Sequence, residues 1–124
     1  MDIFELREYA LSLPEVEESM PFGDDVLIFK VAGRMFLAAW LVGCDRVAVK
    51  CHPQRAELLR ERYSSVTPAW HFNKRHWNDV RLDADLPSVF IRHQIAHSYL
   101  ETIRCNVSPK SLKSLCYKEL IVKV

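Results

Sequence analysis

A chain of 124 residues is long enough for one hydrophobic core and too short for two comfortable ones. With 49% hydrophobic and 27% charged residues, its ordinary globular composition excludes a long disordered stretch. No apolar run approaches the roughly 18 to 20 residues of a membrane span, and the start MDIFELREYA lacks the features of a signal peptide, so a cytoplasmic chain with no membrane partner is expected.

The net charge of +1 conceals segregation. Residues 1–25 carry eight acidic side chains against one basic, residues 50–81 seven basic against three acidic, and residues 104–124 five basic against one acidic. Such a field can hold a polyanion on one side without making the whole chain basic. The four cysteines, Cys44, Cys51, Cys105 and Cys116, read as free thiols, as expected in a reducing compartment.

Asp2 and Glu5 have the spacing of a capping box, and Ile3, Leu6, Ala10 and Leu13 recur at helical intervals, which predicts a helix over 3–13 stopped by Pro14. Glu15 to Asp25 reads as an acidic connector. Three β-rich runs follow, VLIFKV from Val26, RMFLAAWL from Arg34 and RVAVK from Arg46, with joints short enough for hairpins. His52-Pro53 opens a second helix whose buried stripe is Ala56, Leu59 and Tyr63.

Ser64 to Thr67 reads as a loop, and Trp70 to Phe72 and Trp77 to Leu82 as two short strands joined by a turn at Asn73-Lys74-Arg75. A long helix spans about 87–104, with Gln94, Ser98 and Glu101 as its polar strip. Ser108-Pro109 starts a basic helix over 110–120. The fold class is therefore α+β: an antiparallel sheet of about five strands carrying an N-terminal, a middle and a long later helix in a domain over 1–104. Residues 105–124 form a basic helical extension.

The segment PAWHFNKRHW, Pro68 to Trp77, combines the groups that nucleic-acid recognition needs: cations for phosphates, planar rings for stacking, and hydrogen-bonding groups for base edges. The candidate contact residues are His71, Asn73, Lys74, Arg75, His76 and Trp77, at the tip of a projecting hairpin, with Lys50, Arg55 and Arg81 broadening the positive surface. Phe72 and Trp70 read as anchors. Alternation places Trp77 opposite Val80 and Leu82, where it is exposed, covered by another element, or shifted by a bulge.

Other chemistry is less well supported by spacing. His93 and His97 stand one helical turn apart but lack the glutamate of the zinc-protease motif and a third ligand at a fixed interval. Cys51, at a helix N-terminus beside His52, is the nearest thing to a nucleophile. There is no Gly-rich phosphate loop, no G-x-S-x-G and no acid pair at a diagnostic interval, so neither an enzyme nor a cofactor is expected.

SLPEVEESMPFGDD, FKVAGRMFLAA, CHP, TPAWHFNKRHWNDVRLD and the HSY at His97 to Tyr99 occur in this order and resemble the MmcQ/YjbR family of small bacterial proteins across roughly residues 4–104. The resemblance implies a frataxin-like sheet with packed helices, also compared with double-wing DNA-binding modules, and a presumed DNA-binding role. Through the frataxin likeness it also raises iron binding by Glu15, Glu17, Glu18, Asp24 and Asp25. The leading expectation is a non-enzymatic, monomeric nucleic-acid (DNA)-binding module. The alternatives are a protein-interaction or small-ligand module using the same segment, and weak metal binding through the acidic connector.

Overall fold

The computed structural model of the chain describes residues 1–43, 45–84 and 86–106. Asp2 caps the first helix, α1 (Ile3–Ser12), by accepting the Glu5 N–H at 2.8 Å, as its spacing predicts. After Pro14 the backbone turns at Glu15, which takes a φ of 61°, into the strand β1 (Val16–Ser19).

β1 lies inside the segment expected to be an irregular acidic connector. Its alternation is real but only four residues long, with Val16 and Glu18 half-buried and Glu17 and Ser19 exposed. Arg7 of α1 holds Glu18 through Nε at 2.8 Å and a second N–H, so one carboxylate of the supposed metal-binding cluster fastens the strand to the helix.

β2 (Val26–Val31) and β3 (Arg34–Trp40) form the expected hairpin. Ala32 and Gly33 both take positive φ, 50° and 77°, as a two-residue turn matched to the strand twist requires. The register shifts after Phe29, which pairs with Leu37 while Lys30 pairs with Met35. Phe36 is thus the extra residue of a bulge, and both Phe36 and Leu37 enter the core.

β4 (Arg46–Lys50) leads to α2 (Pro53–Arg62), with Pro53 at the first turn and His52 Nδ1 accepting the Gln54 N–H at 3.3 Å. β5 (Val66–Pro68), β6 (Trp77–Arg81) and α3 (Ser88–Asn106) complete the described elements. The six strands stand in the order β1-β2-β3-β4-β6-β5, and every neighbouring pair is antiparallel. The class is α+β, with six strands where about five were expected.

The hairpin before β6 differs most from expectation. Its outer strand is Val66 to Pro68, and Trp70 to Phe72 are bends. Pro68 has no N–H, which suits a strand on the sheet edge, and the ladder ends where Ala69 N–H meets the Trp77 carbonyl at 3.1 Å.

α1 and α3 cover one sheet face around Leu6, Phe29, Phe36, Val80, Ile95 and Tyr99. Within α3, Gln94 and Ser98 are buried rather than solvated. The Ser98 hydroxyl accepts the Lys50 N–H at 2.8 Å and donates to the Phe36 carbonyl, pairing two backbone groups where β3 and β4 part. Tyr99 packs edge-on against Phe36 and donates its hydroxyl to the Pro14 carbonyl.

The opposite face carries a smaller cluster of Ile28, Ala38, Ala48, Ala69 and Trp77. No helix among the described residues is long and apolar enough to cross a membrane. The basic helix expected over 110–120 lies outside the described residues.

Candidate nucleic-acid interface

Residues 69–76 do not project as a hairpin tip. They fold back over the outer sheet face, and alanines make that approach possible: Ala38 and Ala48 leave a shallow floor beneath the loop. Phe72 stacks on Trp77, with centroids 4.9 Å apart and planes inclined by 25°, and presents an edge to Trp40. His71 stacks on Trp40 at 5.5 Å, and the Arg46 guanidinium lies 4.7 Å from the same indole centroid.

Polar contacts fix the rest of the loop. Asn73 Oδ1 accepts the Arg75 N–H at 2.9 Å, the His76 N–H returns to the Asn73 carbonyl, and the Cys51 N–H donates to the His76 carbonyl at 2.7 Å. Lys74 Nζ donates to the carbonyls of Ala69 and Trp70, at 3.1 and 3.3 Å, and stands 5.7 Å from the Trp70 ring centroid. From α2, Arg60 donates to Asn78 Oδ1 at 2.6 Å and to the carbonyls of Trp77 and Lys74.

Asp79 secures the root of the loop by accepting the Trp70 N–H at 3.2 Å. Among the described residues its buried Oδ1 has no hydrogen-bond partner. Burial pushes its carboxyl above the usual range, opposed by that hydrogen bond and by the positive field of Arg46, His71 and Lys74.

Trp77, a candidate contact residue whose exposure the alternation left open, and Trp70, expected to be an anchor, exchange roles in this arrangement. Trp77 is 9% exposed and lies under Phe72 of its own loop, so it anchors the loop. Trp70, expected to be an anchor, is 72% exposed. His71, Asn73, Lys74 and Arg75 are exposed and His76 is half-buried.

The supporting cations also divide. Lys50 lines a cleft of about 430 Å³ with His52, Asn73, His76, Glu101 and Arg104. Arg55 is exposed on α2, where its charge adds to the burial that lowers the His97 pKa and partly offsets the burial that raises that of Cys51. Arg81 does not belong with them: it sits at the far end of β6, about 13 Å along the strand, held by Asp83 at 2.9 Å and Asp45 at 3.5 Å. Among the described residues, Lys50, Arg55 and Arg75 form no ion pair.

A second cavity of about 340 Å³ lies on the outer face and is lined by Phe22, Val26, Ile28, Trp40, His71 and Phe72. No sequence pattern pointed to it, because Phe22 sits in the acidic segment far from PAWHFNKRHW and reaches its partners only through the sheet.

The catalytic and metal alternatives gain little from the geometry. Cys51 is buried, and desolvation pushes its thiol up to about 11, outweighing the neighbouring arginines. At pH 7.5 a maleimide should therefore modify the exposed Cys105 and spare Cys51 in the folded protein, as read by peptide mass spectrometry. Rapid native labelling of Cys51 would contradict the buried, protonated thiol.

Burial, reinforced by the charge of Arg55, pulls His97 below the ordinary histidine range, and its Nε2 faces the His52 N–H at 3.5 Å. Among the described residues no group of three His, Cys, Asp or Glu side chains is placed to hold a metal ion.

A family model described as YjbR matches residues 11–101, a span that contains both the PFG and the NKRHW segments. The chain is 33% identical over 116 residues to the uncharacterized protein YjbR of Escherichia coli K12, covering 93% of this chain and 97% of that one. It is 34% identical over 94 residues to the uncharacterized protein YbdF of Escherichia coli O157:H7, covering 75% and 77%.

The crystal structure of protein DR2400 from Deinococcus radiodurans, a DUF419 domain, matches with a TM-score of 0.79 and 31% identity over 96% of this chain and 87% of that one. A Pseudomonas syringae protein shares the fold at a TM-score of 0.72 and 21% identity, over 82% and 99%. With the family model covering most of the described sheet and helices, and relatives above 30% identity matched nearly end to end, this chain belongs to the YjbR family.

Proposed function

We propose that this protein is a nucleic-acid-binding module, with DNA as its partner, and that it acts by binding rather than by catalysis. The observation that carries the reading is one loop bearing an exposed indole, Trp70, and the cations Lys74 and Arg75, next to a cleft walled by Lys50, His52, Asn73, His76 and the Glu101–Arg104 pair. Lys50, Arg55 and Arg75 have no carboxylate partner among the described residues, so their charge is available to phosphates. Trp70 supplies a stacking surface, and Asn73 and His71 supply hydrogen bonds to base edges. The protonated, buried Cys51 thiol favours binding over nucleophilic chemistry.

Fluorescence anisotropy with labelled oligonucleotides at low salt tests this. Binding should be tighter than about 10⁻⁴ M and weaken steeply with salt. Lys50→Ala with Arg75→Ala should make the log-log salt slope shallower by roughly 1.5 to 2. These positions isolate charge better than Lys74, whose ammonium is also tied to the loop backbone. Absence of binding at low salt overturns the reading, and an unchanged slope removes the cleft and loop from the interface. A small-ligand or protein-partner reading rests on a different observation, the apolar cavity bordered by the 68% exposed Phe22.

A further inference from the structure

The apolar cavity and the basic cleft are not independent features. Phe72 lines the cavity, Trp77 lines the cleft, and the two rings stack on each other at 4.9 Å. A molecule crossing the loop would meet a carbon-lined pocket on one side of this stack and cations on the other. Among the described residues the pocket is made almost wholly of rings and aliphatic side chains, Phe22, Trp40 and Phe72 with Val26 and Ile28, and its one polar wall is His71. At about 340 Å³ it lies at the low end of the roughly 300 to 1,000 Å³ of ligand clefts, a size for one flat group rather than an extended ligand.

Resting on the nucleic-acid reading above, we infer that this cavity receives one unstacked base of single-stranded DNA, while the adjoining phosphates lie along Asn73 to His76 and the Lys50 cleft. Charge sets the direction. Asp24 and Asp25 are exposed just beyond Phe22, so that end of the cavity disfavours phosphate, whereas the opposite side of the Phe72–Trp77 stack carries Lys50, His52 and Arg104 against one carboxylate, Glu101. A polymer that alternates a flat, apolar-faced ring with an anion matches this juxtaposition.

The occupant cannot be an intact duplex, whose bases are stacked inside and must be extruded at a cost of a few kcal/mol before any pocket can take one. Single strands offer the base freely. Phe22 forms the outer wall, His71 offers a ring nitrogen to the base edge, and the exposed Trp70 provides a second stacking surface for a neighbouring base.

The test compares single-stranded and duplex DNA of one sequence, together with a single strand carrying one abasic position. The wild-type protein should bind the single strand at least about tenfold tighter than the duplex. Phe22→Ala should weaken single-strand binding by on the order of 5- to 100-fold, the effect expected of one lost base–aromatic stack. Phe22→Trp should restore binding.

Because Phe22 is 68% exposed, the alanine variant should melt like the wild type, which separates a lost wall from a lost fold. The abasic strand should bind the Phe22→Ala variant and the wild type alike, since both then lack the same contact. Equal affinity for duplex and single strand, or an unaffected Phe22→Ala variant, overturns the base pocket while the salt-slope result leaves the nucleic-acid reading standing. Failure of every oligonucleotide to bind at low salt overturns both.

Discussion

Replacing Trp77 by alanine lowers stability by about 3 to 5 kcal/mol, the range for emptying a buried aromatic site. Trp77 is the largest buried member of the outer-face cluster, and its buried neighbours cannot close the space it would leave: Ala38, Ala48 and Ala69 are already small, and Ile28 is fixed in a strand paired on both sides. The ring is also the platform on which Phe72 lies, so its loss frees the loop as well as opening a cavity. Trp70→Ala provides the contrast. At 72% exposure that ring contributes within about 0.5 kcal/mol to folding, yet its removal should weaken oligonucleotide binding. Urea denaturation of the two variants checks the exchange of roles. A fragile Trp70 variant beside a stable Trp77 variant would reverse it.

This exchange shows where the sequence stops being readable. α1, the strands from Val26 to Lys50, α2 and α3 were all legible, because each has a cap, a periodic stripe or a paired hairpin within its own span. β1 was not. Four residues containing two glutamates do not establish a period, and the strand depends on β2 beside it and Arg7 above it. The outer strand of the last hairpin was placed too late, since TPAWHF has aromatic residues where the chain is bent and a proline where it is extended.

The candidate site was legible in composition and illegible in orientation. Strand alternation put Trp77 on the outer face, but whether a loop covers that face depends on Ala38 and Ala48, which lie in other strands far back along the chain. Arg81 reads as a surface cation in the sequence, and only the structure brings Asp45 and Asp83 around it. Phe22 entered the site only because β2, β3 and the 69–76 loop bring it beside Trp40 and Phe72.

The second large effect falls on Arg60, which ties the candidate site to the helix layer. One guanidinium serves three acceptors on the far strand and its loop: the Asn78 side chain, which is 1% exposed, and the carbonyls of Trp77 and Lys74. Arg60→Ala removes a charge-assisted donor from a buried amide and releases the backbone on both sides of His76, so a loss of about 2 to 3 kcal/mol is expected. Arg60→Lys keeps the charge but replaces a flat, multi-donor fork with a single ammonium, which cannot serve three separated acceptors in that geometry. It should therefore recover only part of the loss. Amide hydrogen exchange provides a local readout: residues 73–77 should lose protection in both variants while α3 retains its own. If Arg60→Lys keeps both stability and loop protection at the wild-type level, the fork geometry is irrelevant, and charge alone accounts for the hold of α2 on the loop.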